Sequence, residues 1–509
     1  FLSPFMATTT SARRSVCSTR TRQIPVRPAC TTRRLRAMAS SPPTTTAPSW
    51  TSLQEQASAT LEGTRIKDQI SLRSQGLGTP HVANKLRLQD ASDESEIRLT
   101  LYRDHAGWCP YCQKVWALIE EKKIPCRIER INMRSYGPKP KWFTDKVPGG
   151  LLPVIELDGK VVTESLVIMQ LLEQEFPGEP FGPYGPAMLP GPGDKKNLAA
   201  ANALLKEERN LFGAWCSLVF RPSMPNLFNK KSQALGAFEA ALTKMDESLA
   251  STPGPWFLGG EHPDIVDWQY VTHVERMNAS VLYWKGVQIR GSGRWPHIDA
   301  WFDAFEERPS YMATKSDYYT HVMDIPPQYG PGYEDGGAEA DKIRAAIDGK
   351  TSWTLEQVDA SPDIEPYAAS EVAKGPEAWR HEAAVSLTGN GEAVARFACR
   401  GMGEPGGGQY SAPLADPLAK PDLEWEEEVG SALRAISAAL LDEGGPLAGR
   451  EGAKAARELA IASREAGRAP GIVACLTYLR DRVGVPRDMS LPAANQLRAT
   501  LNWYMELME

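Results

Sequence analysis

Cys109 and Cys112, separated by Pro110 and Tyr111, carry the most legible chemistry in the chain. The thiolate is the reactive form of cysteine, and its population near neutral pH is set by what faces the sulfur. An alternating segment over residues 97–103 precedes the pair, and Val115, Trp116, Leu118 and Ile119 follow it with helical spacing. That order puts Cys109 at or just before a helix start and Cys112 in the first turn. Free backbone N–H groups and the positive end of the helix dipole then face Cys109 and favour its thiolate. Pro110 suits the first helical position, where an N–H would have no partner. Cys112 is within reach of a mixed disulfide on Cys109, so the spacing predicts a nucleophile, Cys109, and a resolving thiol, Cys112. A closed zinc site needs four ligands and this pair supplies two. An iron–sulfur cluster bridged between two chains and a purely structural pair remain as other readings. Cys126, Cys216, Cys399 and Cys475 stand alone in apolar runs and read as small buried hydrophobes.

The elements that must hold the pair form a small α/β unit. Residues 97–103 and 126–131 read as strands. Residues 154–157 and 161–163 flank Asp158-Gly159, a strong hairpin signal. Leu166, Met169, Leu172 and Phe176 make one stripe of a helix over residues 165–176. A β-α-β start, an irregular Gly/Pro/Lys segment, a hairpin and a helix around Cys-x-x-Cys predict a thioredoxin-like domain at 96–178. Pro and Gly then mark a linker. Residues 195–325 read as helices only, with Asp264 and Asp267 at the spacing of a helix capping box. The Pro- and Gly-rich stretch 325–338 predicts a second break, with everything beyond Tyr333 a separate unit on an exposed strap. That unit, 339–509, is expected to be mostly helical, with a loop over 401–421 and an apolar face at Val429, Leu433, Ile436 and Leu440.

Composition narrows the function classes. The net charge of −6 argues against a nucleic-acid binder. Eight cysteines in 509 residues are too sparse for a disulfide scaffold, and no apolar run is long enough to span a membrane. Residues 1–50 hold eight arginines, no lysine and no acid among many Ser and Thr. This is the composition of an organelle transit peptide, placed at 1–40 with cleavage near 37–39 and followed by a polar extension over 41–95. The chain begins with Phe, and Met6 reads as the start.

Trp108-Cys109-Pro110-Tyr111-Cys112 resembles the dithiol glutaredoxin active site. Followed by a helical domain, it resembles the cytosolic-type glutathione transferases that use a catalytic cysteine. Leu152-Pro153-Val154 looks like that family's cis-proline turn, Glu164-Ser165 like the pair that holds the γ-glutamyl end of glutathione, and Asp264–Asp267 like its buried capping box, with Asp264 in place of the usual Ser or Thr. The iota class is the most similar, through its Cys-Pro-aromatic-Cys site and long C-terminal extension; residues 308–319 and 479–489 look like parts of that extension and its junction. The glutathionyl-hydroquinone reductases are neighbours, but Cys112 stands where they typically carry alanine.

The resemblance implies a thioredoxin-like domain, an all-α transferase domain and a mostly helical extension, with glutathione as co-substrate and no metal. Glutathione would lie on Pro110, Tyr111, Lys141, Val154, Glu164 and Ser165, with Pro153, Asp264 and Asp267 structural. Elementary chemistry agrees: Ser165 opens a helix whose N–H groups suit a carboxylate, Glu164 can pair with the ligand ammonium, and the segment of Lys139, Lys141 and Lys146 could take the glycine carboxylate. A cysteine facing glutathione implies redox exchange rather than S-conjugation: deglutathionylation of a small or protein thiol, or reduction of the dehydroascorbate type, in a plastid stroma. A homodimer or a partner docked on the extension is compatible with this. The alternative is a ligandin-like carrier or scaffold whose extension takes a pigment, a tetrapyrrole or a protein.

Overall fold

The computed structural model describes residues 47–509 except 192, 223–232, 336, 363 and 411. The arginine-rich segment expected to be a transit peptide lies outside the described residues, all of which belong to one compact unit.

The chain enters through two helices, α1 (Trp50–Ala59) and α2 (Leu61–Ser74), started by the Ser49 and Thr60 hydroxyls, which accept the Ser52 and Gly63 N–H groups. The polar composition of 41–95 gave no sign of them. The thioredoxin-like domain follows: β1 (Leu86–Arg87), β2 (Leu99–Asp104), α3 (Pro110–Glu121), β3 (Cys126–Ile131), α4 (Lys141–Lys146), β4 (Val154–Leu157), β5 (Lys160–Val162) and α5 (Ser165–Glu175). Its sheet has the order β1-β3-β2-β4-β5, with β2 and β3 parallel and every other pair antiparallel.

Register explains how the site is assembled. β2 runs out at Asp104, just before the cysteines. Tyr102 pairs with Val154 at the start of β4, and Ile155 pairs with Val162 at the end of β5. The starts of α3, β4 and α5 therefore gather at one end of the sheet, bringing Cys109, Pro153 and Glu164-Ser165 to a common edge from three separate segments of the stretch 109–165.

The helical domain comprises α6 (Lys195–Val219), α7 (Gln233–Ala250), α8 (Ile265–Lys285), α9 (Pro296–Glu306), α10 (Pro309–Met312) and α11 (Tyr318–Tyr329). Every residue of α8 is buried; a helix covered on all sides is a core element, which is why it shows no amphipathic stripe. Its capping box is present: Asp264 Oδ1 accepts the Val266 N–H at 2.7 Å, and Asp267 Oδ2 accepts the Asp264 N–H at 2.9 Å.

The expected break at 325 is a correction. Helix α11 continues through Pro326 and Pro327 and ends at Gly330, whose φ of 107° few other residues adopt. Both prolines sit in the last turn; each removes one i→i−4 hydrogen bond, and only Gln328 and Tyr329 follow before Gly330 ends the helix.

The extension carries α12 (Ala338–Ile347), α13 (Ala369–Val372), α14 (Gly375–Thr388), α15 (Gly391–Ala398), α16 (Glu426–Leu441), α17 (Glu451–Glu465), α18 (Ala469–Arg480) and α19 (Leu491–Glu506). Val429, Leu433, Ile436 and Leu440 face a core made by the extension itself, against which Trp50 of α1 packs. The extension is nonetheless not set apart on a strap. A cluster of Ala106, Trp108, Tyr136, Tyr319, Trp353, Ala412 and Leu414 draws on all three regions. Arg498 of α19 makes a fully buried ion pair with Asp317 at 2.7 Å.

Candidate active site

Cys109 is the residue that caps α3, with Pro110 at the first helical position. Its backbone is extended (φ −76°, ψ 119°), so the sulfur faces the first-turn amides of Tyr111 and Cys112. Both thiols are buried, 6% and 1% exposed. The Cys109 thiol lies below the ordinary thiol range, first because Cys112 hydrogen-bonds to it and then because of those two amides; burial and the Asp104 charge oppose the shift. Cys112 is pushed well up, first by burial and then by Cys109 itself. The two shifts run in opposite directions, so Cys109 is the sulfur of the pair that ionises first and Cys112 the one that keeps its proton longer.

Asp104 closes the loop behind the thiols. Its Oδ2 accepts the Trp108 N–H at 2.7 Å, and its own N–H donates to Cys112 Sγ at 3.4 Å. Arg276 of α8 clamps the same loop from the helical domain, donating to Trp108 O at 2.6 Å and to Gln113 Oε1 at 2.8 Å. Gln113 in turn donates to Glu275 Oε2 at 3.0 Å, and Glu275 Oε1 bonds His321 Nε2 at 2.8 Å. Each of these side chains is buried, and the chain of hydrogen bonds ties the loop to α8 and α11. Arg276, Gln113, Glu275 and His321 escape a reading of the sequence because their spacing matches no motif; the one local hint is a run of polar residues inside an unbroken helix.

The remaining expected residues are placed as follows. The Leu152–Pro153 peptide is cis, and Pro153 and Val154 are buried at the start of β4. Glu164 is exposed with φ 70°, immediately before Ser165 opens α5. Tyr111 leans edge-on to His273 (centroids 5.4 Å apart), with the Lys114 ammonium 5.0 Å from its ring. Burial lowers Lys114 to about 8. Lys141 points outward on α4, bound to Asp145 at 2.7 Å. The lysine whose field reaches both thiols is Lys139, half-buried two residues earlier. Asp267, driven up to about 6 by burial, also accepts the Trp301 indole N–H at 2.8 Å.

Cys399 and Cys475 are buried in the core of the extension, as expected of small hydrophobes, but they are not isolated from each other. The two thiols hydrogen-bond to each other, because Gly401 lets the turn after α15 approach the Ala474 carbonyl so closely that a Cβ would lie 2.4 Å from it. Among the described residues, no group of three or more His, Cys, Asp or Glu is placed to hold a metal ion. No helix among them is long and apolar enough to cross a membrane.

Residues 108–175 match the glutathione S-transferase N-terminal domain, and residues 229–304 match its C-terminal domain. The core has the fold of a glutathione transferase. This is a family of enzymes with glutathione as co-substrate. Protein IN2-1 homolog A of Oryza sativa subsp. japonica is 29% identical over 216 residues, 41% of this chain and 78% of the relative. Glutathione S-transferase omega-1 of Mus musculus is 26% identical over 232 residues, 45% and 84% of the two chains. Glutathione S-transferase DHAR2 of Arabidopsis thaliana is 46% identical over 74 residues, 14% of this chain and 33% of the relative.

Proposed function

We propose that the protein is a glutathione-dependent thiol–disulfide transferase of the iota type, with Cys109 as nucleophile and Cys112 as resolving thiol. The observation that carries this reading is the Cys109 sulfur at the start of α3, facing two backbone amides and the Cys112 thiol. The Cys109 thiolate attacks a glutathione mixed disulfide; the Cys109–glutathione disulfide forms as the old S–S bond breaks, and the substrate leaves as a thiolate that takes a proton. A second glutathione thiolate then attacks the intermediate and restores Cys109 while forming glutathione disulfide, or Cys112 loses its proton, closes the Cys109–Cys112 disulfide and releases glutathione. Both routes balance without a metal.

Glutathione would lie along the sheet edge that Val154, Glu164 and Ser165 share, its γ-glutamyl carboxylate on the N–H groups of α5. Small glutathionylated thiols, glutathionylated proteins and dehydroascorbate are the substrates this chemistry fits. The arginine-rich residues 1–50 support a plastid destination, which the position of a fluorescent fusion in plant cells would test. Turnover of wild type, Cys109→Ser and Cys112→Ser on a small mixed disulfide tests the mechanism. Loss in the first variant and retention in the second is expected; normal turnover of Cys109→Ser would overturn it.

A further inference from the structure

A cavity of about 890 Å³ lies between the thioredoxin-like domain and the extension. Its volume falls within the range of small-molecule sites. Trp108, Met133, Phe397, Leu414, Leu479 and Met489 supply apolar wall from both sides. None of Cys109, Val154, Glu164 and Ser165 reaches it, so it is not the place proposed for glutathione.

Its charges are unevenly matched. Arg130, Arg400, Arg482 and Arg487 line it, with Asp104, Asp416 and Asp488. Arg487 is paired with Asp488. Asp416 is held by the Gly406 N–H at 3.1 Å and Asp104 by the Trp108 N–H at 2.7 Å. Among the described residues Arg130, Arg400 and Arg482 have no carboxylate partner. Arg400 and Arg482 donate to backbone carbonyls, those of Asp416 and Tyr478, each at 3.2 Å, and lie over the rings of Phe397 and Tyr478 at 5.0 and 3.6 Å, contacts that leave their charge uncompensated. Three lining side chains each carry a buried polar atom without a partner: the Tyr136 hydroxyl, Arg482 Nε and Asp104 Oδ1. Buried polar atoms are normally satisfied, and each one left over calls for an explanation. His105 on the same wall is lowered first by burial and then by the charges of Arg130, Arg487 and Arg103, with Asp104 opposing.

We propose that this cavity binds an organic anion built on an aromatic ring system, its carboxylate or sulfonate held by Arg400 and Arg482 and its ring against Phe397 and Trp108. The orphaned Tyr136 hydroxyl supplies a further donor to the anion, and Asp104 Oδ1 accepts a hydroxyl or N–H from the same ligand. Arginine is the residue suited to this task because its planar fork matches a carboxylate and its face stacks on rings.

The test uses the full chain and two fluorescent probes of nearly the same shape, 1-anilinonaphthalene-8-sulfonate and neutral N-phenyl-1-naphthylamine, with saturating S-hexylglutathione present to occupy the glutathione site. The anionic probe should bind saturably, one per chain. Arg400→Gln combined with Arg482→Gln should raise its Kd by roughly tenfold or more, since hydrogen bonds to charged groups are worth ~1.5–3 kcal/mol each. The neutral probe should change little. Ala393→Trp, at an exposed lining position, keeps every charge but fills the cavity, and should weaken both probes. All variants should keep wild-type turnover on a small mixed disulfide. Absence of saturable binding, displacement of the anion by S-hexylglutathione, or an unchanged Kd in the double arginine variant would each overturn the proposal.

Discussion

Two buried pairs of cysteines share their side-chain chemistry and differ in backbone setting. Cys109 caps the start of α3, where free N–H groups and the positive end of the dipole face the sulfur. Cys399 caps the end of α15, where the dipole is negative. Cys475 lowers Cys399 through its hydrogen bond, while burial and Glu426, Asp422 and Glu428 oppose the shift; Cys475 is driven far up, first by that bond and then by burial. Both Cys399 and Cys475 are 0% exposed. A thiol pair becomes an attacking group when a helix start aims amides at one sulfur and a substrate can reach it; adjacency of two thiols is not sufficient.

The sharpest way to break that comparison is to exchange the pairs' fates. Cys109→Ser should cost roughly four orders of magnitude or more in turnover on a mixed disulfide, a loss typical of a removed nucleophile. Cys399→Ser should leave it unchanged. Equal losses would erase the distinction.

The pH dependence of alkylation sharpens it further. Because Cys109 lies below the ordinary thiol range, its thiolate persists as the pH falls below that range and protonates only at its own lower value. Iodoacetamide should label Cys109 at neutral pH, whereas Cys112 and Cys475, shifted upward, should stay unmodified until far more alkaline conditions. Mass mapping of the labelled protein reads this directly, and prompt labelling of Cys475 at neutral pH would contradict the assignment.

Removing the extension separates the pairs physically. Truncation after Gly332 strips Arg498 from buried Asp317 and the Val485 carbonyl from the Trp108 indole. An uncompensated buried charge costs ~3–5 kcal/mol, so thermal melting of the truncated core should fall well below that of the full chain, with aggregation through the exposed cluster around Trp108. A melting temperature equal to that of the full chain would show that the extension is a passive appendage.

The smallest effect tests the frame that both regions share. Asp264→Ala removes the acceptor at the start of α8 and should cost ~0.5–2 kcal/mol, read by chemical denaturation, with the catalytic thiol's reactivity kept. A loss no larger than scatter would mean that the box is ornamental.

The legible parts of this molecule are those whose signals are local. Cys109 before Pro110, the Asp158-Gly159 hairpin and the Asp264/Asp267 box each fit within a few residues, where turn and cap geometry depends on neighbours in sequence. What stayed hidden depends on distant partners. Cys475 finds Cys399 only because α18 packs on the turn after α15. Arg276 is a clamp only because α8 is buried on every side. β1 has two residues, too few for any periodicity, and α1 and α2 are polar helices whose few apolar contacts lie on the extension.

The Trp108 indole donates to Val485 O at 3.1 Å across 377 residues of chain. Synthesis runs from the N-terminus, so the loop that holds Cys109 leaves the ribosome long before the strand of residues that covers it. During that interval Trp108 has no lid, and the growing chain presents an apolar ring beside a reactive sulfur, the kind of surface that holdase chaperones capture. Maturation of the loop that carries Cys109 is thereby tied to the arrival of the segment between α18 and α19, and a ribosome that stops early releases a chain whose Cys109 is made but not yet housed.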